Sequence, residues 1–147
     1  MSPRRLDPAS VSAKLRLLEP LVARLAELEG VTGDDLEKDL DRRLVVERIL
    51  TVLVETAAAI NGHIASATGG PVPEDYRSSF AAAAKAGALT DDLAARLAPS
   101  AGLRNRLAHR YGDVDLYVVA DAIPRAHDDF SEYVTQVSNW LVGQVEA

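Results

Sequence analysis

Between Gly102 and Gly112 the chain reads Gly-Leu-Arg-Asn-Arg-Leu-Ala-His-Arg-Tyr-Gly, and this stretch gathers most of the residue types able to do chemistry. Arg104 is a permanent cation whose planar N–H donors match phosphate oxygens. His109, after four intervening residues, carries an imidazole that titrates near neutrality and can give or take a proton. Tyr111 adds a hydroxyl two residues further on, as a nucleophile, a hydrogen-bond partner or an acceptor for covalent modification. Asn105 can orient a substrate or the histidine, and Arg106 and Arg110 make the segment locally basic. These types point to phosphodiester chemistry without a metal. Arg104 would hold the nonbridging oxygens as charge develops, and His109 would move the proton of the attacking 2′-hydroxyl or the departing 5′ oxygen. Such a reaction leaves a 2′,3′-cyclic phosphate and a 5′-hydroxyl. The residue types alone leave a plainer alternative standing, because an arginine and a histidine near a helix C-terminus also serve as partners of the helix dipole.

Spacing adds a condition. Residues five apart on a helix of 3.6 residues per turn differ by about 140° of rotation, so Arg104 and His109 do not share one face. Either the helix ends near His109 and redirects it, or two copies of the motif, from two subunits, together build one cleft.

The elements that must carry these residues all read as helices. Asp7-Pro8 predicts an N-cap followed by proline at the first helical position, where its missing N–H costs nothing. Val11, Leu15, Leu18, Val22, Leu25 and Leu28 then recur every three or four residues up to Gly30, with Pro20 a candidate kink. After Thr32-Gly33-Asp34-Asp35 resets the chain, the stretch from Leu36 to about Ala67 predicts one long helix. Val46, Leu50, Leu53, Ala57, Ile60 and Ile64 form its core stripe. Thr68-Gly69-Gly70-Pro71-Val72-Pro73 predicts an exposed loop, and a short helix is expected from about Glu74 to Ala86. Thr90-Asp91-Asp92 caps the motif-bearing helix, which Pro99 is expected to bend or reset and Gly112 to end. Asp115 to about Val145 is helical in pattern, with Pro124 marking a kink or a break into two helices. The expectation is an all-α, up-and-down bundle of four to five helices forming a single domain over residues 1–147.

Composition bounds the function. A chain of 147 residues can bury roughly 68–70% of its unfolded surface and needs no disulfide or metal staple. With no cysteine there is no thiolate catalysis, and the histidines at 63, 109 and 127 lack metal-ligand spacing, so neither a metal nor a cofactor is expected. No leader or membrane span is apparent, and a soluble, cytoplasmic protein is expected. A formal charge of −6 argues against general affinity for nucleic acid. RNA would have to meet a local basic site, for which Arg42, Arg43 and Arg48 on one segment and Arg104, Arg106 and Arg110 on another are available. Aromatic residues, at 5%, are too few to build a base-stacking platform.

Arg104, Asn105, His109 and Tyr111 stand in the order Arg-x4-His-x-Tyr, with a polar residue directly after the arginine. This resembles the signature of the HEPN superfamily. The segment Gly102–Tyr111 is similar to the HepT branch, the toxins of two-gene toxin–antitoxin modules. The resemblance implies a dimeric helical bundle with the motif helices near the interface, acting on RNA (tRNA or mRNA) as a metal-independent endoribonuclease. Arg104, His109 and Asn105 would be its catalytic residues, with RNA contacts from Arg106 and Arg110. It also implies that Tyr111 accepts AMP from a cognate minimal nucleotidyltransferase antitoxin, which would place phosphate charge beside Arg104 and His109 and repel RNA. Arg48, Glu55 and His63 resemble polar positions of HepT-like proteins. Where relatives often place an acid between the last two, this chain has Ala59. The alternative function is a noncatalytic HEPN-type module that binds a nucleotide or a protein.

Overall fold

The computed structural model describes residues 5–109 and 113–147, and every regular element among them is an α-helix. The order is α1 (Pro8–Glu27), α2 (Gly33–Lys38), α3 (Leu40–Ala67), α4 (Tyr76–Lys85), α5 (Asp91–His109) and α6 (Leu116–Glu146). This is one helix more than the four or five expected, because the long helix beginning at Leu36 is divided. Asp39 takes an extended backbone, closes α2, and caps α3 by accepting the Arg42 N–H at 3.1 Å. α2 has its own start, a capping box in which Thr32 and Asp35 satisfy each other's backbone N–H groups.

The prolines do not break their helices. α1, α5 and α6 run unbroken through Pro20, Pro99 and Pro124. All three rings are exposed. Long helices wrap around a core with their solvent side slightly opened, so an exposed proline loses a weak hydrogen bond and its ring meets less crowding.

Cross-helix contacts fix the directions. Arg104 of α5 meets Glu55 of α3, while Arg96 meets Asp129 and Glu132 of α6, and the Thr90 N–H donates to Gln136. Tyr117, at the start of α6, donates its hydroxyl to Asp34 of α2, and its ring packs where a Cβ on Gly33 would overlap it. At the opposite end the Asp7 N–H donates to His63 Nε2 at 2.9 Å, which puts the start of α1 beside the last third of α3. Thus α1 and α5 run one way and α3 and α6 the other. The short α4 follows α3, its first residue Tyr76 under Arg104 and its Ser79 bonded to Asn61.

The core is continuous across all six helices and contains the predicted stripes: Val11, Leu15, Leu18, Val22 and Leu25 of α1, and Val46, Leu50, Leu53, Ala57, Ile60 and Ile64 of α3. One polar group lies within it. The buried Tyr133 hydroxyl donates to Asn61 Oδ1 at 2.7 Å and lies 3.2 Å from the Ala57 carbonyl, while Asn61 Nδ2 donates to Ser79 Oγ at 3.0 Å. Burial pushes the Tyr133 hydroxyl pKa well above its ordinary value. Every member is satisfied, so this network ties α3, α4 and α6 together at a defined register.

Candidate functional site

α5 brings the predicted residues to the end of the bundle where α3 and α6 begin. Its start is set by Thr90, whose hydroxyl accepts the Leu93 N–H at 3.1 Å, and Leu93, Leu97, Leu103 and Leu107 bury one stripe against the core. That stripe leaves Arg104 half-buried toward α3 and α4, with Asn105, Arg106 and His109 exposed.

Arg104 is the best-held of these. Its Nη2 donates to Glu55 Oε1 at 2.7 Å and its Nε to the same oxygen at 3.3 Å, while Nη1 reaches Asn105 Oδ1 at 3.3 Å. The guanidinium carbon lies 4.7 Å from the centroid of the Tyr76 ring, a cation–π contact that orients the plane. A guanidinium has five N–H donors, and three are engaged here, so two remain for an oxyanion. The side chain is 17% exposed and its partner carboxylate 36%, so the pair is neither sealed in nor freely solvated. Such a carboxylate fixes a cation in place while leaving it open to a second anion.

His109 is the last residue of α5 and is exposed. Because α5 is helical through His109, the side chains of Arg104 and His109 leave the helix about 140° apart, and one chain does not converge them. His109 is instead one turn from Arg106 and Asn105, both exposed. Arg106 turns away from Glu55 into a cleft between α5 and α6. The predicted residues Arg110 and Tyr111, with Gly112 as helix stop, lie outside the described residues.

The second basic cluster is largely spent on local pairs: Arg42 lies 3.8 Å from Asp39 and Arg43 3.0 Å from Glu47, with Arg48 exposed. Glu55 and His63, expected on roughly one face, serve different neighbours. The first holds Arg104 and the second receives the Asp7 N–H. Tyr76 joins the site although spacing in the sequence does not bring it there. Its only sequence signal is its place directly after the Asp75 N-cap, which says nothing about what lies above the ring. Among the described residues no group of three His, Asp or Glu side chains is arranged to hold a metal ion, and no helix is long and apolar enough to cross a membrane.

Residues 18–137 match the model of the family described as Ribonuclease HepT-like. The chain is 32% identical over 137 residues to a protein of Aphanizomenon flos-aquae (strain 2012/KM1/D3) named tRNA nuclease HepT, covering 93% of both chains. Its fold is shared with a toxin–antitoxin crystal structure containing AMP-PNP, with a TM-score of 0.79 at 21% identity over 89% of this chain and 98% of the other. It is shared also with the tri-AMPylated Shewanella oneidensis HEPN toxin in complex with its MNT antitoxin, with a TM-score of 0.78 at 22% identity over 88% and 97% of the two chains. The chain belongs to the HepT-like ribonuclease family.

Proposed function

We propose that this protein is the toxin of a two-component module, a metal-independent endoribonuclease that cuts tRNA and is silenced by AMP transfer to Tyr111. The observation that carries the reading is Arg104 itself. It lies inside the family match, is clamped by Glu55 and Tyr76, and keeps two N–H donors for a phosphate. In the proposed reaction the ribose 2′-hydroxyl attacks phosphorus and gives its proton to a histidine. The bond to the 5′ oxygen breaks, and that oxygen leaves with a proton from a second acid. Arg104 holds the nonbridging oxygens throughout, with Asn105 beside it positioning the scissile phosphate.

A homodimer answers the divergence of Arg104 and His109 along α5. A second copy brings a second His109, so that one imidazole takes a proton while the other gives one. The dimer also gathers six arginines from positions 104, 106 and 110 of the two chains around RNA that a chain of charge −6 otherwise repels. The name of the Aphanizomenon relative favours tRNA over mRNA as substrate. The Shewanella complex supports a minimal nucleotidyltransferase as antitoxin, with Tyr111 as acceptor in this chain.

The test is cleavage of total tRNA by unmodified protein in excess chelator, with the ends mapped. Cuts leaving 2′,3′-cyclic phosphates, abolished in folded His109→Ala, are expected. Intact, AMP-free dimer that cuts nothing would leave the noncatalytic binding module in its place. Coexpression with the nucleotidyltransferase should add AMP mass that is absent in Tyr111→Phe. An unchanged adduct in that variant would remove Tyr111 as the acceptor.

A further inference from the structure

On the other side of α5 from Glu55 lies a cavity of about 270 Å³ between α5, α6 and α3. Its floor is apolar, with Leu50, Val54, Leu97, Leu103 and Phe130 among the lining residues. Three arginines border it, and they are not equivalent. Arg96 is neutralised by Asp92, Asp129 and Glu132. Arg106 and Arg125 are exposed and have no ion-pair partner among the described residues. An apolar recess bordered by uncommitted guanidinium groups combines the two requirements of a nucleotide unit, a dry slot for the base and donors for one phosphate.

Charge along the cavity decides how such a unit would lie. At the Arg96 end three carboxylates face one cation, and a phosphate there would be repelled. Arg106 lies toward the C-terminal end of α5, the end that carries His109, and Arg125 lies one turn of α6 from Asp129, between the Arg96 clasp and that end. A polynucleotide therefore cannot run its backbone along the groove. One phosphate would rest on Arg106 and Arg125 with its base inserted toward Leu97 and Phe130, and the strand would leave toward the motif.

We propose that the α5–α6 cavity is a subsite for one nucleotide of the RNA substrate, flanking the cleaved bond and held by Arg106 and Arg125. This rests on the ribonuclease reading for its biological meaning, but nucleotide binding can be read without cleavage. The experiment is calorimetric titration of AMP-free protein with the four ribonucleoside 3′-monophosphates, with inorganic phosphate and the nucleosides as controls. At least one nucleotide should bind tenfold or more tighter than phosphate or its own nucleoside. Arg125→Ala, an exposed change on α6 with little risk to folding, should weaken it about tenfold, as should narrowing the mouth with Val118→Trp. In tRNA cleavage both variants should raise KM more than they lower kcat. Nucleotide binding no tighter than phosphate, or equal in wild type and Arg125→Ala, would overturn the subsite. So would a dimer that Val118→Trp dissociates while nucleotide fails to bind, since a second copy would then fill the groove. Arg125-dependent binding in a protein that cuts no RNA would retain the subsite and remove only the ribonuclease reading.

Discussion

Arg96 and Arg104 lie eight residues apart on α5 and differ in what surrounds them. Arg96 faces three carboxylates, two of them on α6, and these raise its pKa further, through Glu132 first and then Asp92. It is an outward-facing clasp between two helices, with more negative charge around it than it can neutralise. Arg104 has a single carboxylate, from Glu55, and an aromatic face below. The comparison shows how one helix uses the same side chain to join elements at one position and to hold an oriented cation open at another. Each guanidinium engages three N–H donors, so the distinguishing quantity is the charge met by them: three carboxylates at Arg96, one at Arg104.

The largest expected effect that tests this contrast is on Arg104. Arg104→Ala should lower tRNA cleavage by about 10²–10³-fold, the usual scale for removing a preorganised donor at developing charge, with thermal unfolding nearly unchanged. Arg104→Lys should recover little, because a point charge replaces the planar fork. Next, Glu55→Gln should reduce cleavage by about tenfold through looser placement of Arg104, with the KM for tRNA unchanged or lower because one negative charge near the phosphate site is gone. A gain in kcat would show that Glu55 competes with substrate more than it positions Arg104. Arg96→Ala should reverse the pattern, lowering the melting temperature while changing cleavage by the folded protein far less than Arg104→Ala does, and then through KM, because it uncovers carboxylates at one end of the cavity. If Arg96→Ala silences folded protein as Arg104→Ala does, the contrast collapses.

The smallest effect expected is on the support beneath Tyr76. The Asp75 carboxyl caps α4 and is held below its ordinary value of 3.8 by hydrogen bonds from the Ser78 backbone and hydroxyl. A carboxyl whose pKa is depressed on folding contributes stability that is complete above its unfolded value and fades as pH falls through the folded one. Asp75→Asn should flatten the acid side of the stability profile, measured as denaturant midpoint against pH, and leave the neutral region almost unchanged. An identical acid limb in the variant would remove Asp75 from that account.

Much of this architecture is legible in the sequence, for local reasons. The Asp7 and Thr90 caps, the Gly30 stop and the leucine and valine stripes act within one or two turns, and spacing alone reveals them. The Asp39 break is not legible, because it sits in a run of charged residues with no glycine or proline to announce it. Whether Pro99 and Pro124 break their helices is not legible in the sequence, because exposure, which makes them tolerable within an unbroken helix, is a tertiary property. The site divides the same way. Arg104, Asn105 and His109 are adjacent enough to form a motif. The Glu55 clamp spans 49 residues, Tyr76 comes from another helix, and Arg125 belongs to a cleft formed only once α5 and α6 pack.

The Asp7–His63 hydrogen bond has a practical consequence for handling the molecule. It anchors the start of α1 at the end of the bundle where α6 also finishes, one helix length away from His109. Anything tethered ahead of α1 or beyond α6, whether an affinity handle, a fluorophore or a solid support, therefore attaches on the far side from the end that carries His109. Immobilised protein should present that end outward, so surface-based binding assays and fused reporters can be built at either side without masking the chemistry.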